Sequence, residues 1–142
     1  MHTMTNDNTS DCEYTQLPTG IHEFIFHKSS RSAVDFHIGT VEDICKNTSD
    51  DERRYFLSDF SESGMLPIRY GMNKVRDLSK AGITLNNLTI AIVINDNLMT
   101  QTLTTLVNTF AKNTKIRFFG VKAKDEALQW LESEIETMPA VG

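Results

Sequence analysis

Leu88-Thr89-Ile90-Ala91-Ile92-Val93-Ile94 constrains this chain more than any other segment. These seven uncharged and largely β-branched residues are too few for an ordinary helix, and they are apolar at both alternations of a strand. Such a strand has to be covered on both faces, as a central parallel strand between helices is. The flanking pattern agrees. Residues 55–60 and 116–119 are further short strands, the former turning polar at its end. Helical spacing links Val34, Ile38, Val41 and Cys45, then Ile68, Met72, Val75 and Leu78. It recurs in Met99, Leu103, Leu106 and Phe110, and again in Ala127, Leu128, Leu131 and Ile135.

Local signals mark the ends of these elements. Ser32 is the expected N-cap of the first helix, with Asp35 in its first turn. Pro67 suits the first turn of the second helix and Gly82 its C′ position. Asn95-Asp96-Asn97 supplies a turn and cap for the third. Upstream, residues 14–17 and 21–26 read as a hairpin turned by Pro18-Thr19-Gly20, with the first strand at an edge. From the hairpin's second strand on, the order is strand, helix, four times over. That predicts one α/β domain: a mixed, mostly parallel sheet of about five strands flanked by four helices. Residues 1–12 are polar and without period, and are expected to be a disordered tail ahead of a single domain over 13–142.

Composition narrows the function. With 142 residues, 39% of them hydrophobic, the chain can bury the core of one domain. Its 14 basic and 19 acidic side chains lack the basic stripe that phosphate contacts need, so a general nucleic-acid binder is excluded. No apolar run reaches the ~20 residues of a membrane span. The start, MHTMTNDNTSDCE, has neither a basic nor an apolar leader region, so the expected compartment is the cytoplasm. Cys12 falls in the polar tail and Cys45 in an amphipathic stretch. They form no disulfide framework or zinc motif, and Cys45 reads as a small buried hydrophobe.

Open α/β sheets bind ligands outside the carboxyl ends of their strands. The loops there hold Lys28-Ser29-Ser30-Arg31-Ser32, Ser61-Glu62-Ser63-Gly64, Asn95-Asp96-Asn97 and Gly120-Val121-Lys122. The chain has no GxGxxG after a strand and no GxxxxGK[ST], so no nucleotide cofactor is expected; nor is a metal. Ser29, Ser30, Arg31 and Ser32 could hold an anion at a helix start, though a polar loop with an N-cap explains them as well. A phosphoryl-receiving receiver domain requires an acidic pair after its first parallel strand, and none stands there. His22 and His27 are an odd number apart on one strand and point to opposite faces; His37 lies within a helix. Asp59 and Glu62 could form an acid–base pair, but acids near a loop are usually solvated or capping. Trp130 and Phe118-Phe119 read as packing, and Glu132, Glu134 and Glu136 as a solvated helix end.

Ile116-Arg117-Phe118-Phe119 followed by Asp125-Glu126-Ala127-Leu128-Gln129-Trp130-Leu131 resembles the last strand and helix of the SpoIIAA-like proteins. These are small bacterial domains related in fold to STAS, the anti-sigma-factor antagonist domain. Residues 88–94 resemble their preceding core strand, and Gly20-Ile21-His22-Glu23-Phe24 their opening hairpin; the likeness spans roughly 13–135. It implies a SpoIIAA-like (STAS-like) fold and a non-enzymatic regulatory module that binds a partner protein. Some STAS proteins are switched by phosphorylation of a serine in Asp-Ser-Ser-Gly. Matching Gly64 to that glycine puts Glu62 at the acceptor position, Ser61 at the acid and Ser63 at the second serine. Glu62 is then a permanent charge, and a phosphoacceptor, if retained, is Ser61 or Ser63. The expected partner surface is Ser61, Glu62, Ser63, Gly64, Met65 and Leu66, with a homodimer expected from the edge hairpin and apolar helical surface. The alternative is a small-molecule carrier or enzyme using the loops at the carboxyl ends of the strands.

Overall fold

A computed structural model describes residues 11–49, 51–64, 67–83, 85, 87–95 and 114–137. The elements are β1 (Cys12–Gln16), β2 (His22–Phe26), α1 (Arg31–Lys46), β3 (Arg54–Asp59), α2 (Ile68–Lys80), β4 (Leu88–Val93), β5 (Lys115–Phe119) and α3 (Lys124–Thr137). The strands lie in chain order β1-β2-β3-β4-β5. β1 is antiparallel to β2, while β2, β3, β4 and β5 run parallel. The mixed α/β sheet is therefore as expected. Three helices are found among the described residues; the expected helix through Met99, Leu103, Leu106 and Phe110 lies outside them.

This strand order decides which face each helix covers. Parallel strands that step in one direction through right-handed crossovers keep their helices on one face. Phe24, Phe26, Phe56, Ile90 and Ile92 accordingly pack with Val41, Ile44 and Cys45 of α1 and Leu78 of α2. The opposite face is left to α3, where Leu57, Ala91, Val93 and Phe119 meet Ala127 and Leu131. β4 is buried at every position because its alternate residues serve the two cores, which explains the uncharged run that predicted it.

Hydrogen bonds account for the ends of the elements. In the β1–β2 turn the Gly20 N–H donates to the Leu17 carbonyl and the Leu17 N–H to the Ile21 carbonyl, both at 2.8 Å. Gly20 has φ +94°, the left-handed residue that a three-residue hairpin loop needs. Gly82 (φ +83°) ends α2 as predicted, with the Ile83 N–H on the Leu78 carbonyl and the Gly82 N–H on Ser79. Pro67 stands at the N-cap of α2, one residue before the expected position.

Two expectations are corrected. Cys12 is not in a polar tail: it opens β1 opposite Phe26 and is 0% exposed in the core. Ser30, not Ser32, caps α1, its Oγ accepting from the Ala33 N–H at 3.1 Å. The earlier start leaves no acid in the first turn, and Asp35 instead pairs with Lys74 of α2 at 3.2 Å. No helix among the described residues is long and apolar enough to cross a membrane.

Candidate partner-binding site at the carboxyl end of the sheet

β3 ends on Asp59, a carboxylate only 5% exposed. Its Oδ1 accepts from the Ser61 N–H (2.9 Å) and the Ser61 hydroxyl (2.6 Å), an Asx-type turn that sets the direction of the loop. Its Oδ2 faces the ammonium of Lys124, the first residue of α3, at 2.9 Å. Lys124 also pairs with Glu23 of β2 at 3.0 Å, so one lysine joins β2, β3 and α3. Burial opposes ionisation of Asp59, yet the bonds from Ser61 and Lys124 outweigh it and hold the carboxyl below its usual range. For Lys124 burial again opposes the charge, and the two carboxylates more than compensate, raising its pKa.

The Ser61–Gly64 loop is anchored a second time through Glu62. His27, just beyond β2, places Nδ1 2.9 Å from Glu62 and Nε2 2.8 Å from Glu13 of β1. Only an imidazolium donates from both ring nitrogens, so the hydrogen bonds that His27 makes to Glu13 and Glu62 push its pKa up. Ser63 Oγ donates to the Gly64 carbonyl at 2.9 Å. The Gly64 N–H returns to the Phe60 carbonyl, and Gly64 has φ +71°. Phe60 stacks on Phe26 with ring centroids 4.5 Å apart. Ser61 and Glu62 remain exposed. Met65 and Leu66 lie outside the described residues.

Asp59 and Glu62 thus go to separate bases, lysine and histidine, rather than acting on each other. In the candidate anion loop the Ser30 hydroxyl donates to Asp11 Oδ2 at 2.7 Å, and Lys28 lies 3.8 Å from the same carboxylate. A carboxylate of the chain is therefore already at that helix start. The Arg31 guanidinium stands 5.0 Å over the Tyr70 ring, and Ser29 and Ser32 are exposed. The Lys124–Asp59 contact fits half of the receiver pattern, but His27-Lys28 stands where its acidic pair belongs.

His27, Glu13 and Lys124 were missed by sequence reasoning. Their meeting depends on register: His27 was placed on β2, whereas the strand ends at Phe26 and the His27 N–H donates to the Asp11 carbonyl. Arg117 was also missed, its guanidinium 5.0 Å from the Phe119 ring and 5.8 Å from Trp130. Cys12 is pushed up to about 12 by burial and by Glu13 and Asp11, and His37, packed on Phe24 and Phe26, is lowered to about 4 by burial. Cys45 is buried in the α1 core, as expected. Among the described residues no group of three or more His, Cys, Asp or Glu is placed to hold a metal ion. No family model matches the chain, and neither a curated protein nor a solved structure is similar enough to it to count as a match.

Proposed function

We propose that this chain is a non-enzymatic regulatory interaction module of the STAS kind, and that Ser61, Glu62, Ser63 and Gly64, continuing into Met65 and Leu66, contact a partner protein. One observation carries the reading: the loop is exposed yet held on both sides, Ser61 by Asp59 and Glu62 by His27. A surface ordered before binding loses less entropy on association. Any phosphorylation switch would act unequally on the two serines. A phosphate on Ser61 would replace a hydroxyl donor with a dianion against Asp59 and release the loop; on Ser63 it would give up only the Gly64 carbonyl. Pairing of two copies through the β1 edge of the sheet belongs to the same proposal, and a concentration-independent monomer mass in ultracentrifugation would remove it.

The test is affinity capture from native lysate with wild type beside a Glu62→Lys, Met65→Ser double variant of unchanged melting temperature. The expected result is a protein recovered by wild type and lost by the variant. Equal recovery of every captured protein by both baits would rule this surface out.

A further inference from the structure

The imidazole of His27 stands between an edge strand and a loop. Its Nε2 lies 2.8 Å from a carboxylate oxygen of Glu13 on β1, and its Nδ1 lies 2.9 Å from one of Glu62 in the Ser61–Gly64 loop. A carboxylate accepts and does not donate, so both bonds run from the ring to the acids. Only the doubly protonated ring makes both at once. Other charged groups at this end of the sheet are engaged with one another: Asp11 with Ser30 and Lys28, and Asp59 and Glu23 with Lys124. The His27 N–H donates to the Asp11 carbonyl at 2.8 Å, which fixes the backbone from which the ring projects.

Loss of one proton leaves the ring with a single N–H. The other nitrogen then turns a lone pair toward a carboxylate at hydrogen-bond distance, and two acceptors so placed repel. The two acids are not equally free to withdraw. Glu13 belongs to β1, where it is paired with Ile25 of β2, and its side chain is 47% exposed. Glu62 sits in a loop and its side chain is 62% exposed. Glu62 is therefore the partner that leaves. The second tie of the loop, from Ser61 to Asp59, does not titrate between about pH 5 and 9, because the Asp59 carboxyl is held below its usual range.

We propose that His27 is a proton-operated tether: the imidazolium holds Glu62 toward β1, and the neutral ring releases it while Ser61 stays on Asp59. Glu62 is then a fixed carboxylate at the lower pH and a freely presented one at the higher. As regulation of partner contact this rests on the surface proposed above. Glu13 and Glu62 both favour the charged ring and raise the His27 pKa, so the tether is closed at the lower end of the range in which histidines titrate.

The experiment follows the His27 ring and the Glu62 side chain by NMR in the isotopically labelled full chain from about pH 5 to 9. The Glu62 side-chain couplings are expected to report one rotamer below the His27 midpoint and averaged rotamers above it. In His27→Gln that step is expected to vanish. Glu62→Gln, an isosteric change at an exposed position, removes the charge and is expected to lower the His27 midpoint. Glu62 couplings that stay constant through the His27 midpoint overturn the proposal. So does a step that persists in His27→Gln, or an unchanged His27 midpoint in Glu62→Gln. The readout needs no partner: a failed tether leaves the capture experiment to judge the surface, and equal capture by both baits leaves the tether to the titration.

Discussion

Asp59 is the point at which the stability of the sheet and the shape of the candidate loop depend on the same charge. Replacing it by alanine removes two hydrogen bonds from Ser61 and the ion pair with Lys124. Hydrogen bonds to a charged group contribute ~1.5–3 kcal/mol. The Lys124 pair adds little, because Lys124 is 31% exposed and keeps Glu23. Asp59→Ala should therefore cost ~2–3 kcal/mol, and Asp59→Asn, which retains an oxygen for Ser61, ~1 kcal/mol. At ~3–4 °C per kcal/mol for a domain of this size, the melting temperature falls by roughly 6–12 °C and 3–4 °C respectively. A double-mutant cycle with Lys124→Met should return a coupling of ~0.5–1 kcal/mol. The pH dependence has a definite sign. The folded pKa lies below the unfolded value of ~3.9, so the unfolded chain binds the extra proton between them. The contribution is complete above that unfolded value and is lost as pH falls through the folded one. Thermal melts from about pH 2.5 to 7 check this, with Asp59→Asn flattening the acid limb. Wild-type stability at pH 7 together with an unchanged acid limb would refute the reasoning.

His27 carries the opposite sign: its raised pKa gives stability that is whole below ~6.5 and lost as pH rises through the folded value. The melting difference between wild type and His27→Gln should thus be larger at about pH 6 than at about pH 9. His22 and His37, both lowered to about 4, contribute stability that is present above ~6.5 and lost as pH falls toward 4. An NMR titration should find neither imidazole protonated above about pH 5 in the folded chain. Gly82→Ala meets no atom within 4 Å but is forced to φ +83°, so a cost of ~1 kcal/mol in chemical denaturation is expected from backbone strain alone.

The elements that could be read in the sequence are those fixed by local chemistry. The uncharged run at 88–94 announced a doubly covered strand, and Gly20 and Gly82 announced a turn and a helix end that their positive φ values explain. Cys12 was misplaced because an edge strand of five residues, CEYTQ, has too short an apolar alternation to stand out from a polar tail. The N-cap slipped by two residues because Ser29, Ser30 and Ser32 all have capping side chains; tertiary contact with Asp11 accompanies the choice of Ser30. The candidate site was only half legible. Ser61 to Gly64 follows from strand order, whereas Glu13, His27 and Lys124 are brought there by pairings between residues 14 to 65 positions apart, which carry no local signal.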